Sequence, residues 1–144
     1  VPFFLAVPVG SAIPLSMILK TKYDRPRPNL VPHESHVYTS SFPSGHSMMA
    51  ATTYLTLAAI LAQVHRRRRV KFYLLTLAIL LTLAVGVSRT YLGVHWPTDV
   101  FAGWTAGAVW ALLCWQASRW LQRRGHIERP GLEEVPMTKP QDQS

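Results

Sequence analysis

Four stretches of this chain, residues 1–19, 47–63, 72–87 and 100–118, are apolar and carry almost no ionisable side chain. A helix on the surface of a water-soluble bundle keeps one polar stripe for solvent, and the run FYLLTLAILLTLAVGV at 72–87 has none. The hydrocarbon core of a bilayer takes about 20 apolar residues per helix, with a range of roughly 17–25, and all four stretches fall in or near it. The predicted fold class is therefore all-α, a polytopic transmembrane helix bundle with four spans. Bulk averages hide this, because 49% hydrophobic residues and a net charge of +8 would equally suit a basic soluble domain. The charges here are segregated between the spans.

That segregation sets an orientation. His65, Arg66, Arg67, Arg68, Arg69 and Lys71 join the second and third stretches, and Arg119, Arg123 and Arg124 follow the fourth. Cationic connections stay on the cytoplasmic side, so the remaining polar segments face outward and the C-terminus is cytoplasmic. The chain reads as a multi-pass protein of a bacterial-type cytoplasmic membrane. An arginine run also suits nucleic acid. This one is a short turn between two spans, so it reads as topogenic and as a contact for anionic membrane lipids, with no nucleic-acid partner.

The first span contains Pro2, Pro8 and Pro14, which membrane helices tolerate, and kinks are expected near the latter two. With no cationic start and no small-residue cleavage site before Lys20, it does not read as a signal peptide. The chain opens on Val1 instead of Met, which suggests a fragment with earlier spans outside it. Residues 1–124 read as the transmembrane core and 125–144, rich in Pro, Gly, Glu and Gln, as a disordered cytoplasmic tail. Cys114, the single cysteine, sits inside an apolar helix and reads as a packing residue. Gly103 and Gly107 form a small-xxx-small pair suited to close packing within the chain. Trp96 and Trp120 suit the two interfaces, and Trp104 and Trp110 suit packing.

Three polar clusters stand at the outward ends of the spans. In Lys20-Thr-Lys-Tyr-Asp-Arg-Pro-Arg27-Pro28, four cations fall within nine positions. Lys22 and Arg25 read as interfacial side chains that snorkel to water. Arg27 differs, because Pro28 pushes it into extended backbone and aims its guanidinium, a fork matched to phosphate. In Ser41-Phe-Pro-Ser44-Gly45-His46-Ser47, Ser44 is a natural N-cap and Gly45 allows close approach to the backbone. The first turn of that helix then offers free N–H groups and a positive dipole end to an anion, with His46 at the rim. In Ser88-Arg89-Thr-Tyr-Leu-Gly-Val-His95-Trp-Pro-Thr-Asp99, Pro97 suits the first helical turn and places His95 just before the helix and Asp99 just inside it. An unpaired carboxylate there is costly. A hydrogen bond from the His95 imidazole to Asp99 is predicted, fixing the tautomer and making the other ring nitrogen a nucleophile.

Taken together, Lys20 followed after six residues by Arg27-Pro28, then Pro43-Ser44-Gly45-His46, then Ser88-Arg89 with His95 and Asp99 beyond, resemble the three-part motif of the type 2 phosphatidic acid phosphatase superfamily. The resemblance runs from about residue 15 to 120 and leaves out only the tail. It implies that His95 attacks phosphorus to form a phosphohistidine, that Asp99 orients it and that His46 protonates the leaving oxygen. It implies that Lys20, Arg27, Ser44, Gly45 and Arg89 bind the phosphoryl oxygens. It also implies a six-span fold of which these are the last four spans.

Relatives of this kind use no metal or other cofactor, and the residues agree. Outside the tail the carboxylates are Asp24, Glu34 and Asp99, too few for a two-metal phosphatase site. His33 and His36 flank Glu34 at a spacing able to bind zinc, but the ligand set is incomplete. A site at the mouths of membrane helices receives a phosphate headgroup while the acyl or prenyl tail stays in the bilayer. The substrate class implied is a phospholipid or prenyl phosphate or diphosphate: phosphatidate, phosphatidylglycerol phosphate, undecaprenyl diphosphate or a lipid A phosphate. The alternatives are a lipid phosphotransferase with the same phosphohistidine and, from a different class, a noncatalytic lipid-binding or transport protein. A vanadium haloperoxidase shares the motifs, but those relatives are soluble.

Overall fold

A computed structural model of the protein describes residues 2–28 and 40–124. It contains α1 (Pro2–Lys22), α2 (Gly45–Val64), α3 (Arg68–Tyr91) and α4 (Pro97–Arg123), and no strand among the described residues. At about 1.5 Å of rise per residue, helices of 20 to 27 residues reach across a hydrocarbon core of roughly 30 Å. All four are long and apolar enough to cross a membrane.

Each helix extends past its apolar stretch into polar residues. α3 begins at Arg68 and continues through Arg89 to Tyr91, and α1 includes Lys20 and Lys22. The hydrocarbon sets how long the apolar part must be, whereas the backbone ladder runs on until something caps it. α2 begins where the Ser44 side chain accepts the Ser47 N–H, and α4 begins on Pro97, whose fixed φ suits a first turn. α1 stays helical through Pro8 and Pro14.

The packing has the polarity expected of a membrane bundle. α2 touches the other three helices, α4 also touches α1 and α3, and α1 and α3 do not meet. Large apolar side chains such as Phe72, Leu80, Val87, Phe101 and Leu112 point outward. The inner stripes are small: Ala78, Thr82 and Gly86 on α3, and Gly103, Gly107 and Ala111 on α4. Helices in lipid gain little from burying apolar surface and associate through close van der Waals contact, so small residues face inward.

The α2–α4 contact shows how close this is. A Cβ built on Gly103 would lie 2.6 Å from the Ser44 carbonyl oxygen, and one on Gly107 would lie 2.5 Å from that of Met48. The two glycines therefore serve packing inside the chain. Gly86 is covered by the ring of Trp104, whose indole N–H donates to the Thr82 carbonyl at 3.1 Å. Trp110 donates to the Ser11 hydroxyl at 3.0 Å, which fastens α4 to α1.

Gly103→Leu or Gly107→Leu is expected to destabilise the detergent-solubilised protein by about 1–3 kcal/mol through overpacking, read as a lower thermal midpoint. Gly10 has nothing within 4 Å of its would-be Cβ, so Gly10→Ala serves as the control and leaves the midpoint unchanged or slightly higher. Equal melting of all three variants would contradict this account of the interface.

Candidate active site

The C-terminal ends of α1 and α3 and the N-terminal ends of α2 and α4 lie together, so the three polar clusters meet at one end of the bundle. Beyond Lys22 the chain runs through residues 23–28 outside any helix. Pro26 and Pro28 hold Arg25 and Arg27 out of the helical region, and residues two apart in extended backbone share a side. Both arginines accordingly reach the entry to α4. Arg25 Nη1 donates to Thr98 Oγ1 at 2.7 Å and to Asp99 Oδ1 at 3.0 Å, and Arg27 Nη1 donates to the Val94 carbonyl at 3.2 Å. The Trp96 indole N–H closes the same junction on the Pro26 carbonyl at 3.2 Å.

The second cluster is laced to both others through its backbone. Ser41 N–H donates to the Arg25 carbonyl, and Ser44 N–H donates to the Asp99 carbonyl, each at 2.9 Å. Lys20 Nζ donates to the Ser40 carbonyl at 3.3 Å. It stands 3.9 Å from where a Cβ on Gly45 would sit, so a cation lies directly over the first turn of α2. Lys20, Arg27 and Arg89 all act electrostatically on His46 in that turn. Arg89, in the last turn of α3, has its Nε buried and without a hydrogen-bond partner. Lys20, Arg27, Ser44, Gly45, His46, Arg89, His95 and Asp99 are thus gathered at one place.

His95 and Asp99 are both buried, the latter completely. The contact between them differs from the predicted one. His95 Nδ1 lies 3.0 Å from the Ser41 carbonyl oxygen and 3.8 Å from Asp99 Oδ2. A carbonyl only accepts, so Nδ1 carries the proton and Nε2 keeps its lone pair. The carboxylate is occupied elsewhere, and the reason is local. As an acid in the first turn of α4, Asp99 turns back to accept the Trp96 N–H on Oδ2 at 2.8 Å, the acidic half of a capping box. The Ser41 hydroxyl donates to the same oxygen, and Arg25 takes Oδ1.

The electrostatics favour a neutral His95. Burial comes first and the Arg27 charge second in pressing its pKa down to about 4, against the upward pull of the Ser41 carbonyl and Asp99, with Lys20 again lowering it. Burial likewise lowers the pKa of Arg27, which Asp99 opposes. At neutral pH the ring is an uncharged imidazole beside fixed cations.

Two residues of this site were not assigned by sequence reasoning. Arg25 is the counter-ion of the buried Asp99 instead of a snorkelling side chain, and Lys22 is exposed. Alternation of Arg and Pro over residues 25–28 is the signal that could have paired Arg25 with Arg27. Ser41, with no exposed surface, bridges His95 and Asp99, and nothing in its local sequence singles it out. His33, Glu34 and His36, and the tail at 125–144, lie outside the described residues. Among the described residues no three His, Cys, Asp or Glu side chains come together as a metal site requires.

Comparison with known proteins bears on this geometry. The family model of the PAP2 superfamily matches residues 2–123. The chain is 41% identical over 99 residues to phosphatidylglycerophosphatase B of Bacillus subtilis, covering 65% of this chain and 46% of the relative. It is 37% identical over 68 residues to an undecaprenyl-diphosphatase of Sulfolobus acidocaldarius, covering 47% of this chain and 29% of that one. The chain thus spans less than half the length of these two relatives. The crystal structure of a transmembrane PAP2-type phosphatidylglycerolphosphate phosphatase from Bacillus subtilis superposes with a TM-score of 0.75 at 33% identity, over 84% of this chain and 60% of that one. Sequence match, membrane-helix architecture and the assembly of three distant motifs at one end of the bundle agree, and this multi-pass membrane chain belongs to the PAP2 superfamily.

Proposed function

We propose that the protein is a membrane lipid phosphatase that hydrolyses a phosphomonoester or diphosphate headgroup through a phosphohistidine on His95. The observation that carries this reading is a neutral, oriented imidazole set among cations. His95 has its Nδ1 proton held by the Ser41 carbonyl, while Lys20 and Arg27 act on it and the buried Arg89 Nε keeps an uncommitted N–H. Such donors are aimed where charge is held in phosphoryl transfer. The α2 N-terminus, beneath Lys20, adds backbone N–H groups. The relatives' names support a lipid phosphate as substrate, because those proteins are a phosphatidylglycerophosphatase and an undecaprenyl-diphosphatase.

In the mechanism, His95 Nε2 attacks phosphorus, a P–N bond forms and the bond from phosphorus to the lipid oxygen breaks. His46 gives its proton to the departing oxygen, so the lipid leaves neutral at that atom. Water then attacks the phosphohistidine and loses a proton to His46, the P–N bond breaks, and inorganic phosphate leaves with His95 neutral again. Lys20, Arg27, Ser44, Gly45 and Arg89 hold the phosphoryl oxygens, and no metal takes part. The reading places the site on the extracytoplasmic side, because the arginine-rich α2–α3 connection and the basic end of α4 are at the other end of the bundle.

The test is phosphate release from phosphatidate, phosphatidylglycerol phosphate, undecaprenyl diphosphate and lipid A, with EDTA present. His95→Ala is expected to abolish release while the protein still melts as wild type, and Arg89→Ala to lower kcat by about 10²–10³. Abolition by EDTA, or turnover retained by His95→Ala, would sink the mechanism. A phosphorylated lipid acceptor in place of free phosphate would identify a transferase.

The pH profile gives a second test. His95 is competent as a nucleophile when unprotonated, so kcat/KM loses its nucleophile only as the pH falls through about 4 and not through the ordinary histidine range near 6.5. His46→Ala should lower kcat by about 10²–10⁴ and remove the alkaline limb, which reports loss of the proton it donates. An acid limb near 6.5 in the wild type would contradict the buried, cation-flanked setting of His95.

A further inference from the structure

We propose that Ser41 is the positioning residue through which Asp99 acts on His95. This rests on the reading of His95 as the nucleophile. Two contacts of one buried residue carry it. The backbone carbonyl of Ser41 accepts the His95 Nδ1 proton at 3.0 Å, and its hydroxyl donates to Asp99 Oδ2. The direct route is too long, since Nδ1 and Oδ2 are 3.8 Å apart, beyond hydrogen-bond reach.

Asp99 has three donors other than His95. Arg25 takes Oδ1 at 3.0 Å, and the Trp96 N–H shares Oδ2 with the Ser41 hydroxyl at 2.8 Å. Ser41 is held at a third point, its N–H on the Arg25 carbonyl at 2.9 Å, and it has no exposed surface. The position of the carboxylate therefore fixes the Ser41 hydroxyl, and with it the carbonyl that sets the tautomer and tilt of the imidazole.

The arrangement serves the chemistry in a defined way. As Nε2 bonds to phosphorus the ring becomes cationic, and the Nδ1 proton pulls harder on its acceptor. A neutral carbonyl alone stabilises that charge less than a carboxylate would. Through Ser41 the carbonyl is locked in place, and the Asp99 charge is held close behind it. The charged groups around the ring are Arg27, Lys20 and Asp99; the two cations cannot accept the Nδ1 proton, and Asp99 stands beyond hydrogen-bond reach of it.

Ser41→Ala keeps the carbonyl and removes only the hydroxyl, so it separates the two contacts. In the full chain, with phosphatidylglycerol phosphate in mixed micelles, Ser41→Ala is expected to lower kcat about tenfold to a hundredfold, the scale of a hydrogen bond to a charged group. KM should stay within about twofold, because Lys20, Arg27 and Arg89 still bind the phosphoryl oxygens. The decisive measurement is a double-mutant cycle with Asp99→Asn. If Asp99 acts through Ser41, the double variant is no slower than the slower single variant; independent action would multiply the two defects and overturn the proposal.

Ser41→Thr, which retains a hydroxyl, should recover most of kcat, and Ser41→Cys, of similar size but a weak donor, should not. Wild-type kcat in Ser41→Ala, or equal loss in the Thr and Cys variants, would also overturn it. Thermal melting of each variant separates misfolding from misplacement, and if Ser41→Ala does not fold the Thr–Cys pair carries the test. Turnover retained by His95→Ala would defeat the nucleophile assignment itself, a result distinct from every Ser41 outcome.

Discussion

Asp99 is the constraint on which the candidate-site end of this bundle turns. A carboxylate with no exposed surface at the mouth of a membrane helix is strongly unfavourable unless every lone pair is met by a donor. The donors come from separate parts of the chain: Arg25 from beyond α1, the Ser41 hydroxyl from before α2 and the Trp96 N–H from the start of α4 itself. The carbonyl of the same residue accepts the Ser44 N–H, which starts α2. Satisfying one buried acid thus docks three segments, and the cations and histidines of the candidate site ride on them.

The rest of the bundle makes that docking possible by bringing backbones unusually close. Gly103 sits one turn along from Asp99 and lies against the Ser44 carbonyl and Ser47, so the α2–α4 contact and the junction around Asp99 are one continuous surface. A side chain at Gly103 would push α2 away from α4 and pull Ser44 N–H off Asp99. Packing and chemistry are coupled here through a distance of one helical turn. The stability of the spans and the precision of the site are therefore expressions of the same contact.

The sequence made the architecture readable because membrane spans and charge segregation are local properties. It also made most of the candidate site readable as a cluster, since Lys20, Arg27, Ser44, Gly45, His46, Arg89, His95 and Asp99 stand at helix ends that the topology brings to one end of the bundle. What it left hidden is tertiary. Arg25 meets Asp99 across 74 positions and Ser41 meets it across 58, and no local pattern specifies which donors a buried carboxylate will find. The predicted histidine–aspartate bond failed for the same reason. His95 and Asp99 are one turn apart in sequence, but the carboxylate was claimed first by its own helix N-terminus and by Arg25, and Ser41 came between.

On the proposed reading, the cations around His95 play opposite parts before and after a phosphate binds. Without an anion, Arg27 and Lys20 help burial hold the imidazole neutral, which keeps the lone pair free but also makes it a weaker base. On the proposed reading, a phosphate bound among Lys20, Arg27 and Arg89 brings negative charge close to the same ring. By Coulomb's law that charge offsets the field of the cations, and the proton affinity of Nε2 rises as substrate arrives. Asp99 cannot supply this change, because its charge is already balanced by Arg25 and its place is fixed. On that reading the substrate completes the electrostatics of its own nucleophile, while the fold keeps the His95 imidazole oriented and unprotonated beforehand.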